Sequence, residues 1–221
     1  MDKLFIVVEG IADQVLLVDL LSTTYEGEYK ISYRKKSKAS DTENLRVVFE
    51  SEEKGSKEIT FLKAKTNGKS IQKNKIDEIR TPTSNLEHKT VFILDADAPN
   101  FTETSKSLIE SFKQEGLDLA EESVFLLPDN KSDGCLEDLL IQMVSDKAKP
   151  IFRCFESYKE CIHGVNPDYT KPDIKTKVYA YSEIITKSGN ERNRDYTNRE
   201  VWNIEHESLA PLVKFLKTHL S

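Results

Sequence analysis

The run LFIVV (4–8), then EG (9–10), then IADQVLLVDLLS (11–22) reads as strand, turn and helix without a break. Five consecutive apolar residues rich in β-branched side chains suit a strand covered on both faces, the condition of a parallel sheet. Gly10 supplies the turn. Beyond it Val15, Leu16, Val18 and Leu20 recur at helical spacing and predict an inward stripe. TVFILDAD (90–97) and SVFLLP (123–128) are two more buried strands of the same kind. Pro99 stops the first. FTETSKSLIESFKQEG (101–116) predicts the helix behind it, capped by Thr102 or Thr104 and ended by Gly116. CLEDLLIQMVSD (135–146) predicts the helix after the second, capped by Asp133. Strands alternating with helices imply right-handed crossovers. The expected fold class is α/β, a mainly parallel sheet with helices on both faces.

Residues 28–65 have another texture. YKISYR, LRVVFE and EITFLKA mix β-branched and aromatic residues with charges, which predicts a β-rich insertion with turns at Asp41–Asn44 and Lys54–Ser56. A short helix is expected over 70–79 and a loop containing Pro82 over 80–89. After Pro150, the segments 151–162, 174–187 and 207–220 predict a helical C-terminal extension, with the polar stretch 188–199 between the last two. The expected organisation is an α/β domain over 1–149 with an extension over 150–221 packed on it.

The chain has 221 residues, 38% hydrophobic and 32% charged, which suits a soluble globular protein large enough to bury a core. Its formal net charge is −6, so a strong grip on DNA phosphates by overall charge is not expected. The charge is uneven, however. Residues 29–38 and 62–75 each hold five basic side chains and no acid, so a local phosphate-binding surface and a solvated face both fit. Three cysteines, Cys135, Cys154 and Cys161, argue against a disulfide framework and for a reducing, cytoplasmic setting. The apolar run 4–8 is too short for a signal peptide or a membrane span.

Ligands of open parallel sheets bind beyond the carboxyl ends of the strands. Glu9 ends the first strand and Asp95 the second. Asp97, two residues on, points the same way if the backbone stays extended. Three carboxylates on one rim repel, and a divalent cation relieves the repulsion. Oxygen-only donors favour Mg²⁺ or Mn²⁺ over Zn²⁺. Such an ion holds phosphate oxygens and activates water, the chemistry of phosphodiester cleavage or transfer.

The segment VVEGIAD (7–13), apolar-apolar-Glu-Gly-x-x-Asp, resembles the first motif of the Toprim domain, and FILDADAP (92–99) resembles its Asp-x-Asp motif. That domain occurs in primases, topoisomerases, the 5S ribosomal RNA maturation nuclease and OLD-type nucleases. The resemblance covers residues 4–20 and 90–140 and implies a Toprim-like sheet. It also implies that Glu9 serves in acid–base work or metal binding and that Asp95 and Asp97 bind Mg²⁺. LLPDNKSDGCLEDLL (126–140) is similar to the loop and acidic helix start that follow the third strand in several members, which makes Glu137 and Asp138 auxiliary acids. The separation of Glu9 from Asp95 exceeds what a minimal Toprim core needs. No ATPase, zinc-ribbon or topoisomerase tyrosine region is recognisable, so small stand-alone relatives of OLD nucleases are the nearest likeness.

Other signals are weaker. Gly68-Lys69-Ser70 lacks the first glycine of a phosphate loop, because residue 63 is Lys63. His88, His163, His206 and His219 show no metalloprotease spacing, and Cys154, Cys161 and His163 lack a fourth zinc ligand. No G-x-S-x-G elbow is present. Lys175 and Lys177 are candidate cations for a leaving oxygen. The leading expectation is Mg²⁺-dependent cleavage of nucleic acid. Its rivals are a non-catalytic nucleic-acid- or protein-binding module using 28–75, and a small phosphotransfer or phosphatase-like enzyme. No membrane partner is expected, and the sequence leaves the oligomeric state open.

Overall fold

In the computed structural model the described residues are 2–36, 45–63, 66–67, 70–71, 89–97, 101–170, 172–186 and 190–220. Strand β1 (Asp2–Val8) lies in the middle of a six-stranded sheet, and Ile6, Val7 and Val8 are wholly buried, as a strand covered on both faces requires. Helix α1 (Ile11–Thr24) follows at once. The 28–65 stretch forms β2 (Lys30–Lys36), β3 (Leu45–Ser51) and β4 (Gly55–Lys63). These strands are continuous with the main sheet, for β4 is a parallel neighbour of β1, and β3 and β2 extend it antiparallel. Two short strands, β5 (Thr66–Asn67) and β6 (Ser70–Ile71), pair with each other. The expected helix over 70–79 and loop over 80–89 fall almost entirely outside the described residues.

Strand β7 (Lys89–Asp95) pairs parallel to β1 on its other side. Helix α2 (Phe101–Gln114) then leads to β8 (Val124–Leu127), parallel to β7. The sheet order is β2-β3-β4-β1-β7-β8. Helix α3 (Leu136–Gln142), α4 (Lys149–Val165), α5 (Ile174–Thr186) and α6 (Ala210–Leu220) complete the described helices. This is an α/β fold with a mixed, mostly parallel sheet.

Strand alternation divides the core into two layers. Leu4, Ile6 and Val8 of β1 with Val91 and Ile93 of β7 face α1, α3 and the C-terminal helices. Val7, Phe92 and Leu94 face α2 through Leu108 and Phe112. The first layer runs without interruption to Trp202, Leu212 and Leu220, so the C-terminal helices share the core of β1. Helix α1 is buried on more than one side. Its back is covered by the segment after residue 190, where the Tyr196 amide donates to Asp19 Oδ2 at 2.9 Å. Residues 188–199 read as polar, yet Tyr196 among them is buried, as are Val201, Trp202 and Ile204 just beyond.

Two capping expectations are corrected. Helix α2 begins at Phe101, which puts Thr102 and Thr104 inside its first turn. Asp133, expected to cap α3, accepts the Phe101 amide of α2 instead. The cap of α3 is Cys135, whose amide donates to Asp138 Oδ2 at 2.9 Å. Among the described residues no helix is long and apolar enough to cross a membrane.

Candidate active site

Sheet register brings Glu9 and Asp95 together. Val8 of β1 pairs with Ile93 of β7, so one more residue on one strand and two on the other reach the same rim. There the Asp95 amide donates to Glu9 Oε1 at 3.2 Å. Asp95 has the parity of Val91 and Ile93 and therefore faces the α1 and α3 layer. Its Oδ1 accepts the Leu136 amide, the first of α3, at 2.8 Å. Asp13, in the first turn of α1, accepts the Gly10 amide at Oδ2, also at 2.8 Å. A Cβ on residue 10 would stand 3.2 Å from that oxygen, close enough that the Asp13 carboxylate would have to give by a few tenths of an ångström.

Four carboxylates from three stretches of chain thus crowd one corner: Glu9, Asp13, Asp95 and Glu137. Asp13 and Glu137 are 6% and 7% exposed, and for Asp13 that dryness works against the ionised form. Burial, then the Asp13 and Glu9 charges, push Asp95 up to about 9, against the downward pull of the Leu136 amide. Burial, then Glu9, push Asp13 up to about 7, although the Gly10 amide and its own amide favour its charged form. Glu137 adds to both. Asp13 was not among the expected site residues, although its place in the Glu-Gly-x-x-Asp pattern was the available signal. Glu137, expected as an auxiliary acid, is buried and accepts the Cys135 thiol at 3.2 Å. Burial, followed by that contact with Glu137, keeps the thiol well above the usual range, so Cys135 is no thiolate nucleophile.

Asp97 departs from expectation. Strand β7 ends at Asp95, and Asp97 has φ +47°, so the alternation that was to align the two aspartates stops between them. The Asp97 amide donates to Gly134 O at 2.9 Å, which ties this turn to the loop before α3. Asp138 is turned into its own helix cap by the Cys135 amide. The two lysines also part company. Lys175, at the start of α5, feels Glu137, Asp95 and Asp97 strongly enough to hold its ammonium above the ordinary range although burial opposes this. Lys177 is held on α4: its Nζ pairs with Glu156 and lies 4.9 Å from the Phe152 ring centroid.

The donors at this corner are hard carboxylate oxygens, and their crowding is the kind of repulsion that Mg²⁺ or Mn²⁺ relieves, so their chemistry fits such an ion. Their spacing is another matter: among the described residues no three or more aspartate, glutamate, cysteine or histidine side chains are drawn together closely enough to hold a metal ion. The basic stretches 29–38 and 62–75 lie partly outside the described residues. Against known proteins, the profile of a family described as "Protein of unknown function (DUF3226)" matches residues 3–221. No curated protein matches the sequence.

Proposed function

We propose that this chain, which belongs to the DUF3226 family, is a Mg²⁺-dependent phosphodiester-cleaving protein of Toprim type acting on nucleic acid. The observation that carries the reading is the convergence of Glu9, Asp13, Asp95 and Glu137 on the rim between β1 and β7 with Lys175 facing them. Motif likeness supports it independently, since Glu9, Asp13 and Asp95 occupy the Glu-Gly-x-x-Asp and Asp-x-Asp positions. Strands β1 and β7 are adjacent, and the chain leaves β1 for β2 on one side of the pair and β7 for β8 on the other, a switch point of the kind where ligands of open sheets bind.

Glu9, Asp95 and Glu137 would hold the ion, with Asp97 and Asp138 on its perimeter. The bound ion supplies charge for phosphate oxygens and a water of lowered pKa. Glu9, at the mouth of the turn, is placed to hold or pass a proton. Lys175 steadies negative charge as it develops on the departing oxygen. Lys177, engaged with Glu156, is left out of this assignment.

The test incubates purified protein with plasmid, single-stranded DNA and RNA in Mg²⁺ or Mn²⁺, beside Glu9→Gln and Asp95→Asn. Cutting by the wild type is expected to fall by about 100-fold or more in both variants. Cutting that survives both substitutions belongs to a contaminant and overturns the reading. Binding without cutting in all three proteins supports a nucleic-acid-binding module in its place.

A further inference from the structure

Arg194 follows the short 3-10 turn Glu191–Asn193 and is 5% exposed. Its Nη1 donates to Tyr196 Oη at 3.4 Å, and its Cζ lies 5.1 Å from the Tyr179 ring centroid. Among the described residues its Nε and Nη2 have no hydrogen-bond partner, and both atoms are shut off from solvent. A buried guanidinium stays charged, and leaving its donors unmade is among the costlier arrangements a fold keeps. The nearby carboxylate does not resolve this. Glu191 lies close enough to act on Arg194 through space, but its Oε1 takes the Tyr179 hydroxyl.

The two unspent atoms are not arbitrary ones. Nε–H and Nη2–H form one edge of the planar fork and point in parallel, spaced to meet two oxygens of one phosphate or carboxylate. That edge is linked to the acid corner through the two tyrosines Arg194 touches. Lys175 and Tyr179 are four residues apart on α5 and so share a helix face. Lys175 faces Glu137 and Asp95, and the field of Glu137 also reaches Tyr179, one turn further on. On the other side Tyr196 feels the Asp13 carboxylate. Arg194 thus touches both side chains that feel these acids, and one of them, the Tyr179 ring, is 40% exposed.

We propose that Arg194 is the anion-holding residue of this site, its Nε–H and Nη2–H gripping two oxygens of a substrate phosphate admitted when Tyr179 swings off the guanidinium. The proposal rests on the preceding reading for the choice of phosphate over other anions. It adds what the acids cannot supply, a group that fixes the phosphate without competing for the cation. The Tyr179–Glu191 hydrogen bond is the latch on the cover.

Calorimetric titration with inorganic phosphate in EDTA, on the full chain, tests this without any metal-dependent chemistry. Wild type is expected to bind phosphate. Arg194→Lys keeps the charge, loses the fork, and should bind at least about 10-fold more weakly. Tyr179→Phe removes the latch and should bind about 2–5-fold more tightly, which a purely structural arginine does not predict. No phosphate binding by wild type overturns the proposal, as does unchanged affinity in Arg194→Lys. Should Arg194→Lys fail to fold, unchanged affinity in Tyr179→Phe overturns it. Absence of cutting on every nucleic acid sinks the nuclease reading and leaves this measurement standing. Cutting that depends on Asp95, beside phosphate binding indifferent to Arg194, sinks only the proposal made here.

Discussion

The Asp95 amide and Glu9 Oε1 meet at 3.2 Å although 86 residues separate them in the chain. The bond makes Glu9 structural as well as electrostatic, and two substitutions separate those parts. Glu9→Gln keeps an oxygen for the Asp95 amide and removes a charge that pushes on both Asp13 and Asp95. It should melt at or above the wild-type temperature while cutting is lost. Glu9→Ala leaves the amide without this acceptor and should lose about 1 kcal/mol relative to Glu9→Gln. Urea denaturation of the pair reads the difference, and equal stability would show that the bond contributes nothing.

Gly134→Ala should destabilise the protein by about 2–3 kcal/mol. Gly134 has φ +145°, and a Cβ there would fall 2.8 Å from Asp138 Oδ2 and 3.0 Å from Pro128 Cδ. Relief by moving Asp138 breaks its bond to the Cys135 amide, the cap that sets the start of α3. Because Leu136 donates to Asp95 from that start, a shift there also disturbs the acids. Denaturant melts with and without Asp138→Asn check the route: the two losses should be less than additive.

The lysines make opposite predictions. Lys177→Ala removes a partly exposed ion pair and a cation–ring contact, a stability loss of about 0.5–1.5 kcal/mol with cutting retained. Lys175→Ala removes the cation that faces Glu137, Asp95 and Asp97, and cutting should fall about 10- to 100-fold. Parallel activity and melting measurements decide, and a reversed pattern would displace Lys175 from the site.

Where sequence period and structure obey one rule, the reading succeeds. LFIVV is buried, Phe5 only partly, because it is β1, and Glu9 and Asp95 follow at the carboxyl ends because register and strand length put them there. Where one residue leaves the period, the reading fails. Asp97 was placed by extended alternation, which its φ of +47° abolishes. Asp133 was given to the nearest helix in sequence, whereas the turn through Asp97 and Gly134 carries it to α2. The stretch after residue 190 buries Tyr196 and Trp202 with neither helical nor strand spacing, held by the Asn190 cap and the bond to Asp19. No periodic signal reports such a segment, and Arg194 lies within it.

Crowding of the acids gives a pH prediction with a definite sign. An unfolded aspartate titrates near about 4, whereas Asp13 and Asp95 are raised in the folded chain to about 7 and about 9. The folded state therefore holds protons that the unfolded state releases. Their stabilising contribution is whole below about pH 4, declines as pH rises, and is exhausted above about pH 9. Asp95→Asn cannot titrate at that position and also relieves Asp13. Its stability relative to wild type should rise steadily from pH 5 to pH 8, by up to roughly 4 kcal/mol. A bound divalent cation opposes the same repulsion, so millimolar Mg²⁺ or Mn²⁺ should raise the wild-type melting temperature at pH 8 and leave Asp95→Asn unmoved. Urea melts at pH 5 and pH 8, with and without the cation, separate the two effects. A flat difference across pH would mean the carboxylates are not crowded in solution. A pH-dependent difference with no response to either cation would keep the crowding and remove the ion from the site.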